Sequence, residues 1–401
     1  MFIQYIFGIF AVGLIKNVKI MFNEKKMTYG YNDISIQPAR RSYIEHRSEC
    51  LTKKDGHLPI FAAPMSTVIS DKNYDIFNSN GIVPILPRNI DISIRDKYMK
   101  EGKWVAYSLS EFEEIINACE SFDTPAHILI DVANGNMTKI FTLSKKAKQK
   151  FGKDNIIIMS GNIANPATYK EYCKAGIDYV RCGIGGGSGC ITSSNVSIHY
   201  GVVNLLSEIY NIKKDIETYC NHESYGYQTV TKIIADGGIR NYSDVIKALA
   251  LGADYVMIGS VLSKLIESCA LTYSYDKNNK IYTINPLDGK TTIRENDGYF
   301  SITRKDDECG ECYIVDKLYK VFYGMASRRG QEDLFGKKKW TSEGTEKHFE
   351  CTTNIDKWSK NMNDYLASAM SYCDIKDIHD FNPDNIETFL MSNNLQNSIN
   401  K

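Results

Sequence analysis

The fold is decided by residues 231–260, which read TKIIADGGIRNYSDVIKALALGADYVMIGS. Two short apolar runs, TKIIADGG and DYVMIGS, flank a segment in which apolar residues recur at three- and four-residue spacing over Tyr242–Leu251. Continuous apolar runs are typical of parallel strands covered on both faces, and the intervening spacing is typical of an amphipathic helix. The stretch therefore predicts a strand–helix–strand unit.

The same unit repeats toward the amino terminus. Six further apolar runs occur there: PIFAAP (59–64), IVPIL (82–86), WVAYS (104–108), HILIDVA (127–133), IIIMSGN (156–162) and DYVRCG (178–183). Helical spacing recurs over Ser110–Glu120 and Pro166–Ala175, the second with Asn165 as N-cap and Gly176 as stop signal. Eight strands alternating with helices predict an α/β fold, a (β/α)₈ TIM barrel, with a doubly wound open sheet as the alternative.

Three regions depart from this repeat. Residues 1–22 are apolar from Phe2 to Ile15 but shorter than the roughly 20 residues that cross a bilayer, and we expect them to lie outside the fold. Residues 265–322 form an insertion after the eighth strand, with hairpin-like runs IYTI and GYFSIT. Residues 328–350 are polar and glycine-punctuated, which predicts a mobile active-site loop. We expect residues 23–401 to form one catalytic domain, completed by a helix over about 354–372.

Composition restricts the class of protein. The chain has 48 Lys and Arg and 48 Asp and Glu, so its zero net charge gives no sign of a nucleic-acid-binding surface. Eleven irregularly scattered cysteines indicate thiols in a reducing compartment, hence a cytoplasmic protein, rather than a disulfide scaffold. Cys309 and Cys312 have C-x-x-C spacing without a second pair, which favours a turn over a zinc site. We expect no membrane partner.

Glycine is concentrated where the predicted strands end, which is where a barrel of this kind carries its functional residues. The densest segment is GIGGGSGCIT, residues 183–192, and backbone without side chains can approach a phosphate closely. Cys190 lies among its amides, which could lower the pKa of a thiol and make it a nucleophile. The residues alone nevertheless favour an inert small residue in a glycine loop, because most cysteines only pack.

A resemblance changes that balance. From about Tyr29 to Ser371 the chain resembles the IMP dehydrogenase/GMP reductase family, through the order and position of several short motifs. They are YNDISIQPARRS (31–42), HRSE (46–49), APMSTV (63–68), DVANGN (131–136), GNIANP (161–166), RCGIGGGSGCIT (181–192), ADGGIRNYSDVIKALALGADYVMIGS (235–260), YGMAS (323–327) and SEG (342–344). The resemblance implies a purine nucleotide oxidoreductase, a homotetramer that uses NADPH, with NADH as the alternative cofactor.

The resemblance also implies roles for matching positions. Cys190 would attack C2 of the purine to give a covalent thioimidate, and Thr192 and Glu343 would handle protons there. Positions matching those that hold the substrate are Ser188, Asp236, Gly238, Gly259, Ser260, Tyr323, Gly324, Met325, Ala326 and Ser327. Asp131, Val132, Ala133 and Gly183 would lie by the cofactor. The carbonyl groups of Gly185, Gly187 and Cys190 match a monovalent-cation site, which implies potassium.

Within the family, three features favour GMP reductase over IMP dehydrogenase. DVANG at 131–135 resembles the reductase, residues 328–342 lack the Arg-Tyr pair with which the dehydrogenase activates water, and no paired regulatory module lies between the second and fourth strands. We therefore expect GMP to be reduced to IMP and ammonia. The alternatives are IMP dehydrogenation with NAD, or reduction of dGMP or a modified purine nucleotide.

Several residues depart from the family pattern. Gly186 replaces a usual proline, Gly189 a small aliphatic residue, Ser193 an arginine and Ser66 an aspartate. These departures leave two different classes of protein open. One is a nucleotide-binding regulator without turnover, which the retained Cys190, Thr192 and Glu343 argue against. The other is an interaction protein that acts through residues 265–322.

Overall fold

The computed structural model describes residues 27–219, 226–275, 281–296, 299–304, 312–338, 340–392 and 395–396. The apolar segment 1–22 and Cys309 lie outside these residues, and so does the side chain of Cys312. The expectations for the amino-terminal extension and for the C-x-x-C pair therefore stay predictions.

Eight parallel strands form the central sheet. A 3-10 turn at Tyr31–Asp33 and a short strand, β1 (Ile34–Ile36), precede them. The eight are β2 (Ile60–Ala62), β3 (Val83–Pro84), β4 (Trp104–Tyr107), β5 (Ala126–Asp131), β6 (Ile156–Ile163), β7 (Tyr179–Cys182), β8 (Lys232–Asp236) and β9 (Tyr255–Ile258). Each overlaps one of the apolar runs that the sequence singles out, so the eight-strand prediction is confirmed.

The sheet closes on itself. Its strand order is β3-β2-β9-β8-β7-β6-β5-β4, which leaves β3 and β4 at the two ends. Leu86, just after β3, joins them, because its amide donates to the carbonyl of Trp104 at 3.0 Å and its carbonyl accepts from Ala106 at 2.8 Å. The (β/α)₈ barrel is therefore confirmed over the open doubly wound sheet.

Helices cover the outside of the barrel. They are α1 (Tyr74–Ser79), α2 (Ile92–Lys100), α3 (Leu109–Ala118), α4 (Thr138–Phe151), α5 (Tyr169–Ala175), α6 (Thr192–Val196), α7 (Val202–Tyr219) and α8 (Tyr242–Ala250). The local signals act as expected before α5, where the Asn165 side chain accepts from the amide of Ala167 at 3.0 Å. Gly176 ends that helix in the left-handed conformation, with φ of 72°.

The insertion contains more strands than the two hairpin-like runs predict. The elements after the barrel are β10 (Leu271–Tyr275), β11 (Ile281–Ile284), β12 (Thr291–Asn296), β13 (Tyr299–Arg304), β14 (Cys312–Val315) and β15 (Tyr319–Tyr323). Strands β12, β13 and β14 form one antiparallel sheet, and β10, β11 and β15 belong to another. The charged residue of β15, Lys320, is fully buried. Its ammonium donates to the carbonyl of Ile266 at 2.8 Å.

The segment predicted as a mobile active-site loop, residues 328–350, has regular secondary structure at both ends, and its mobility stays a prediction. The segment begins with a helix, α9 (Arg328–Phe335), and finishes with a strand, β16 (Glu346–Glu350), which pairs with β15. Ser327 caps the helix by accepting from the amide of Gly330 at 3.0 Å, and Gly336 ends it at φ of 70°. Polar composition hid both elements, because α9 buries few apolar residues and β16 is half exposed.

The carboxyl-terminal segment completes the shell. Helix α10 (Ile355–Tyr372) confirms the predicted last helix, and Asn354 caps it by accepting from the amide of Lys357 at 2.9 Å. Its buried face, which includes Trp358, packs into the core shared by the strands and outer helices. Strand β17 (Thr388–Leu390) then pairs with β1. No described helix is both long enough and apolar enough to span a membrane.

Candidate active site

A cavity of about 580 Å³ opens at the carboxyl ends of the barrel strands. Most of the sequence-predicted site residues line it, namely Asp131, Val132, Ala133, Gly187, Ser188, Cys190, Asp236, Gly238, Gly259, Ser260, Gly324, Met325, Ala326 and Glu343. Five others do not contribute to its lining: Gly183, Gly185, Thr192, Tyr323 and Ser327. A cavity of about 640 Å³ at the amino ends of β6 and β7 contains none of the predicted residues.

A hydrogen-bonded chain joins the cysteine loop to the segment after α9. The Cys190 thiol donates to Thr192 Oγ1 at 3.3 Å, and the Thr192 hydroxyl donates to Glu343 Oε2 at 2.8 Å. Glu343 lies 151 positions from Thr192 in the chain. A hydroxyl that both accepts and donates can pass a proton between its neighbours, so the arrangement can move a proton between the thiol and the carboxylate.

Backbone pairing holds these two segments in register. The Ile191 amide donates to the carbonyl of Glu343 at 2.9 Å, and the Thr345 amide donates to the carbonyl of Gly189 at 2.9 Å. This contact also explains one departure from the family pattern. A Cβ at position 189 would lie 3.0 Å from Phe322 Cε1 and 3.4 Å from the Thr345 carbonyl, so glycine allows the close approach.

Two arginines that sequence reasoning missed meet the predicted carboxylates. The buried guanidinium of Arg181 lies 2.9 Å from an oxygen of Asp131 and 2.9 Å from one of Asp236. Burial alone would lower the pKa of Arg181, but the two carboxylates together hold it above its ordinary value. Arg88 donates to the carbonyl of Asp131 at 3.2 Å and also lines the cavity. The signal for Arg181 was a charged residue inside the apolar run DYVRCG.

Tyr323 does not line the cavity and instead contacts α9. Its hydroxyl donates to Asp333 Oδ2 on α9 at 2.7 Å, and the Ser66 hydroxyl reaches the same oxygen at 3.3 Å. Burial, together with Asp333, raises the pKa of Tyr323 to about 12. A 5′-phosphate could therefore be held by Tyr323 only after this bond breaks. Asp333 supplies a carboxylate beside Ser66, the position at which the family usually has an aspartate.

The predicted cation site fits poorly. The Gly185 carbonyl accepts from the Ser193 hydroxyl at 3.3 Å, and the Gly187 carbonyl accepts from the Cys190 amide at 3.0 Å. Two of the three expected oxygen ligands thus already accept hydrogen bonds within their own loop. The geometry gives no support for a potassium ion, and no step proposed below depends on one.

Comparison with known proteins agrees with this geometry. A family model, IMP dehydrogenase / GMP reductase domain, matches residues 105–308, which is about half of the chain and includes the Cys190 loop. The chain belongs to the IMP dehydrogenase/GMP reductase family. It is an enzyme of the oxidoreductase type that this family represents, and the predicted family membership is confirmed.

Its similar relatives lie on the GMP reductase side of the family. GMP reductase from Bacillus subtilis (strain 168) is 29% identical over 267 residues, covering 63% of this chain and 76% of the relative. GMP reductase from Staphylococcus aureus (strain JH9) is 30% identical over 261 residues, covering 62% and 75%. At this level of identity the family is clear, and the roles of individual residues have to be argued from the site.

Proposed function

We propose that this protein catalyses the reductive deamination of GMP: GMP, NADPH and two protons give IMP, an ammonium ion and NADP⁺. The observation that carries the proposal is the chain from Cys190 through Thr192 to Glu343 at the mouth of the barrel. A nucleophile whose proton can leave through a hydroxyl to a carboxylate suits covalent attack on a purine ring. The relatives add support for the guanine nucleotide, the family resemblance for NADPH and a homotetramer, and the scattered cysteines for a cytoplasmic location.

The first half of the reaction uses the proton path. The thiol proton of Cys190 passes through Thr192 to Glu343, and the sulfur bonds to C2 of the guanine. Glu343 then returns a proton through Thr192 to the 2-amino group, the bond from C2 to nitrogen breaks, and ammonia leaves. The product of this half is a thioimidate between Cys190 and the purine.

The second half needs a hydride at C2, which a bound reduced nicotinamide supplies. After C2 gains hydrogen, the bond between C2 and sulfur breaks, IMP leaves, and the Cys190 thiolate takes up a proton to restore the thiol. Asp131, Val132 and Ala133 would border the cofactor, together with Arg88. The Arg88 Nε atom is buried and has no hydrogen-bond partner within the described part of the chain, which fits an acceptor brought by a ligand.

The nucleotide would occupy the other side of the cavity. Asp236 would accept from the ribose hydroxyls, and the backbone at Gly238, Gly259 and Ser260 would approach the phosphate, with Ser188 nearby. Gly324 to Ala326 would border the base. Ser327 is buried and caps α9, so it would act by fixing this segment.

IMP dehydrogenase activity is the alternative. Residues 328–342 contain no Arg-Tyr pair, and α9 occupies the first half of this segment. This segment therefore lacks the pair with which the dehydrogenase activates water, which favours loss of ammonia over addition of water.

A paired assay tests the proposal. The protein is mixed with GMP and NADPH, or with IMP and NAD, while absorbance of the reduced cofactor and release of ammonia are followed. We expect cofactor oxidation and ammonia in equal amounts in the first mixture and no reaction in the second. A Glu343→Gln variant should release ammonia about 10²–10⁴-fold more slowly, because general acid help is lost.

The outcomes separate the alternatives. If IMP reduces NAD while GMP does not react, the protein is an IMP dehydrogenase instead. Turnover of dGMP in preference to GMP would change the substrate and leave the chemistry in place. If neither mixture reacts although both nucleotides bind, the protein is a nucleotide-binding regulator and the proposal is wrong.

A further inference from the structure

Arg181 connects the two sides of the cavity. It lies on β7, and its Nη1 donates to Asp131 Oδ1 at 2.9 Å, while its Nε donates to Asp236 Oδ2 at 2.9 Å. All three side chains are mostly buried, with 12% of Arg181, 18% of Asp131 and 15% of Asp236 exposed. One guanidinium thus bridges carboxylates at the ends of two different strands, β5 and β8.

The bridge leaves one oxygen of each carboxylate for a ligand. Asp236 Oδ2 accepts from Arg181 and also from Asn162 Nδ2 at 2.7 Å, whereas Oδ1 accepts from no described residue. Asp131 Oδ1 accepts from Arg181, and Oδ2 has only Arg88 near it, at 3.9 Å. Because both carboxylates line the cavity, their remaining oxygens are available to accept from hydroxyl groups brought by a ligand.

The backbone is shaped to admit this side chain. Gly161 on β6 pairs with Arg181 and has φ of 148°, a conformation that side chains rarely adopt. A Cβ at position 161 would lie 2.6 Å from the Cβ of Arg181. Glycine at this point lets β6 and β7 approach each other beside the bridge.

We propose that Arg181 is a positioning residue that orients Asp131 toward the cofactor and Asp236 toward the nucleotide ribose, so that both ligands bind at the required separation. This inference rests on the proposed function, because that function assigns the two carboxylates to different ligands. Arg181 itself lies behind them and acts through them.

The charged groups around Arg181 indicate how loss of its guanidinium should affect the two carboxylates. The groups facing Asp236 are Arg181, Asp131, Tyr31 and Cys182. Burial raises the pKa of Tyr31 and of Cys182 far above neutrality, so neither supplies charge. Asp131 also faces Arg88, whereas Arg181 is the one described cation paired with Asp236. Removing it should therefore leave the Asp236 carboxylate without the charged donor that fixes its orientation.

The experiment compares Arg181→Met, Arg181→Lys and the wild type. Methionine removes charge and donors, while lysine keeps the charge without the planar fork. Steady-state KM and kcat are measured for GMP and NADPH. GMP and NADPH affinities are also measured separately by calorimetry, and melting temperature reports folding.

A matched control removes a buried arginine away from the cavity. Arg95 on α2 is also buried and pairs with Glu111 at 2.7 Å, but it contacts neither predicted ligand site. Arg95→Met should lower the melting temperature while leaving both KM values unchanged. It therefore reports the general cost of breaking a buried ion pair.

In Arg181→Met we expect the KM for GMP and the KM for NADPH each to rise about tenfold or more, with a smaller change in kcat. Arg181→Lys should restore part of the affinity for both ligands, because lysine keeps the charge. A purely structural role would lower the melting temperature without these effects on KM.

The proposal is overturned if Arg181→Met, folded by its melting curve, keeps both wild-type KM values. It is also overturned if only one ligand is affected. Failure of the proposed function looks different: the wild type would bind GMP and NADPH without turnover, and the calorimetric affinities of the variants would still decide the role of Arg181. Absence of binding by the wild type would overturn both.

Discussion

The two ends of the barrel differ in the side chains that fill them. At the amino end, aromatic rings pack against one another: the Phe61 ring lies 5.7 Å from Trp104 and 5.2 Å from Tyr255, and Trp104 lies 5.4 Å from Tyr179. At the carboxyl end stand glycines, two arginines, two aspartates and the Cys190 chain. The same eight strands therefore carry apolar packing at one end and open, charged chemistry at the other.

This difference shows how one scaffold separates stability from activity. Aromatic rings bury large apolar areas and need few hydrogen bonds, so they stabilise the amino end without a ligand. The carboxyl end keeps unpaired oxygens, a buried ion pair and a thiol. These groups lower the stability of the free protein and make their favourable contacts only when a ligand binds. Substitutions at the amino end should accordingly change stability, and substitutions at the carboxyl end should change activity.

The largest effect is expected from Cys190→Ala at the carboxyl end. Loss of the nucleophile should lower kcat by about 10⁴-fold or more, while GMP affinity and melting temperature stay close to those of the wild type. Single-turnover kinetics and calorimetry measure the two properties. Cys119→Ala, after α3 and away from the cavity, is the control and should keep full activity. Substantial turnover by Cys190→Ala would contradict the covalent step.

A smaller effect, and one of the opposite kind, is expected from Trp104→Ala at the amino end. The indole is 8% exposed and contacts three other rings, so its loss should reduce the free energy of unfolding by about 3–5 kcal/mol. Both KM values of the folded fraction should stay unchanged. Urea denaturation followed by circular dichroism measures the change, and Trp104→Phe should recover part of it. A changed KM would mean that the two ends are coupled.

The smallest effect concerns pH. Burial lowers the pKa of His127 below its ordinary value of 6.5, and its ring packs edge to face against Trp104, with centroids 5.0 Å apart. Above pH 6.5 the imidazole is neutral in both states; below it the unfolded chain binds the proton first, so stability falls until the lowered native pKa is passed. The melting temperature of His127→Phe should fall less than that of the wild type in this range. If the melting temperatures of His127→Phe and of the wild type fall equally as the pH is lowered, the assignment of this pH dependence to His127 is wrong.

The sequence by itself determined the barrel, because strand and helix periodicities are local. Each of the eight apolar runs shows on its own that its strand is buried. It also singled out Cys190, since a cysteine in a glycine-rich strand end is visible without any contact, and family resemblance linked it to Thr192 and Glu343. Polar composition hid regular structure in residues 328–350, where Ser327 and Gly336 bound a helix.

Only the tertiary structure decided which side chains meet. Thr192 reaches Glu343 because β15 and β16 bring the segment after α9 back to the barrel mouth, and Arg181 meets Asp131 and Asp236 because the closed sheet sets β5, β6, β7 and β8 side by side. Such contacts join residues tens to hundreds of positions apart. Local patterns encode which residues are buried, whereas closure of the barrel decides the neighbours they are buried against.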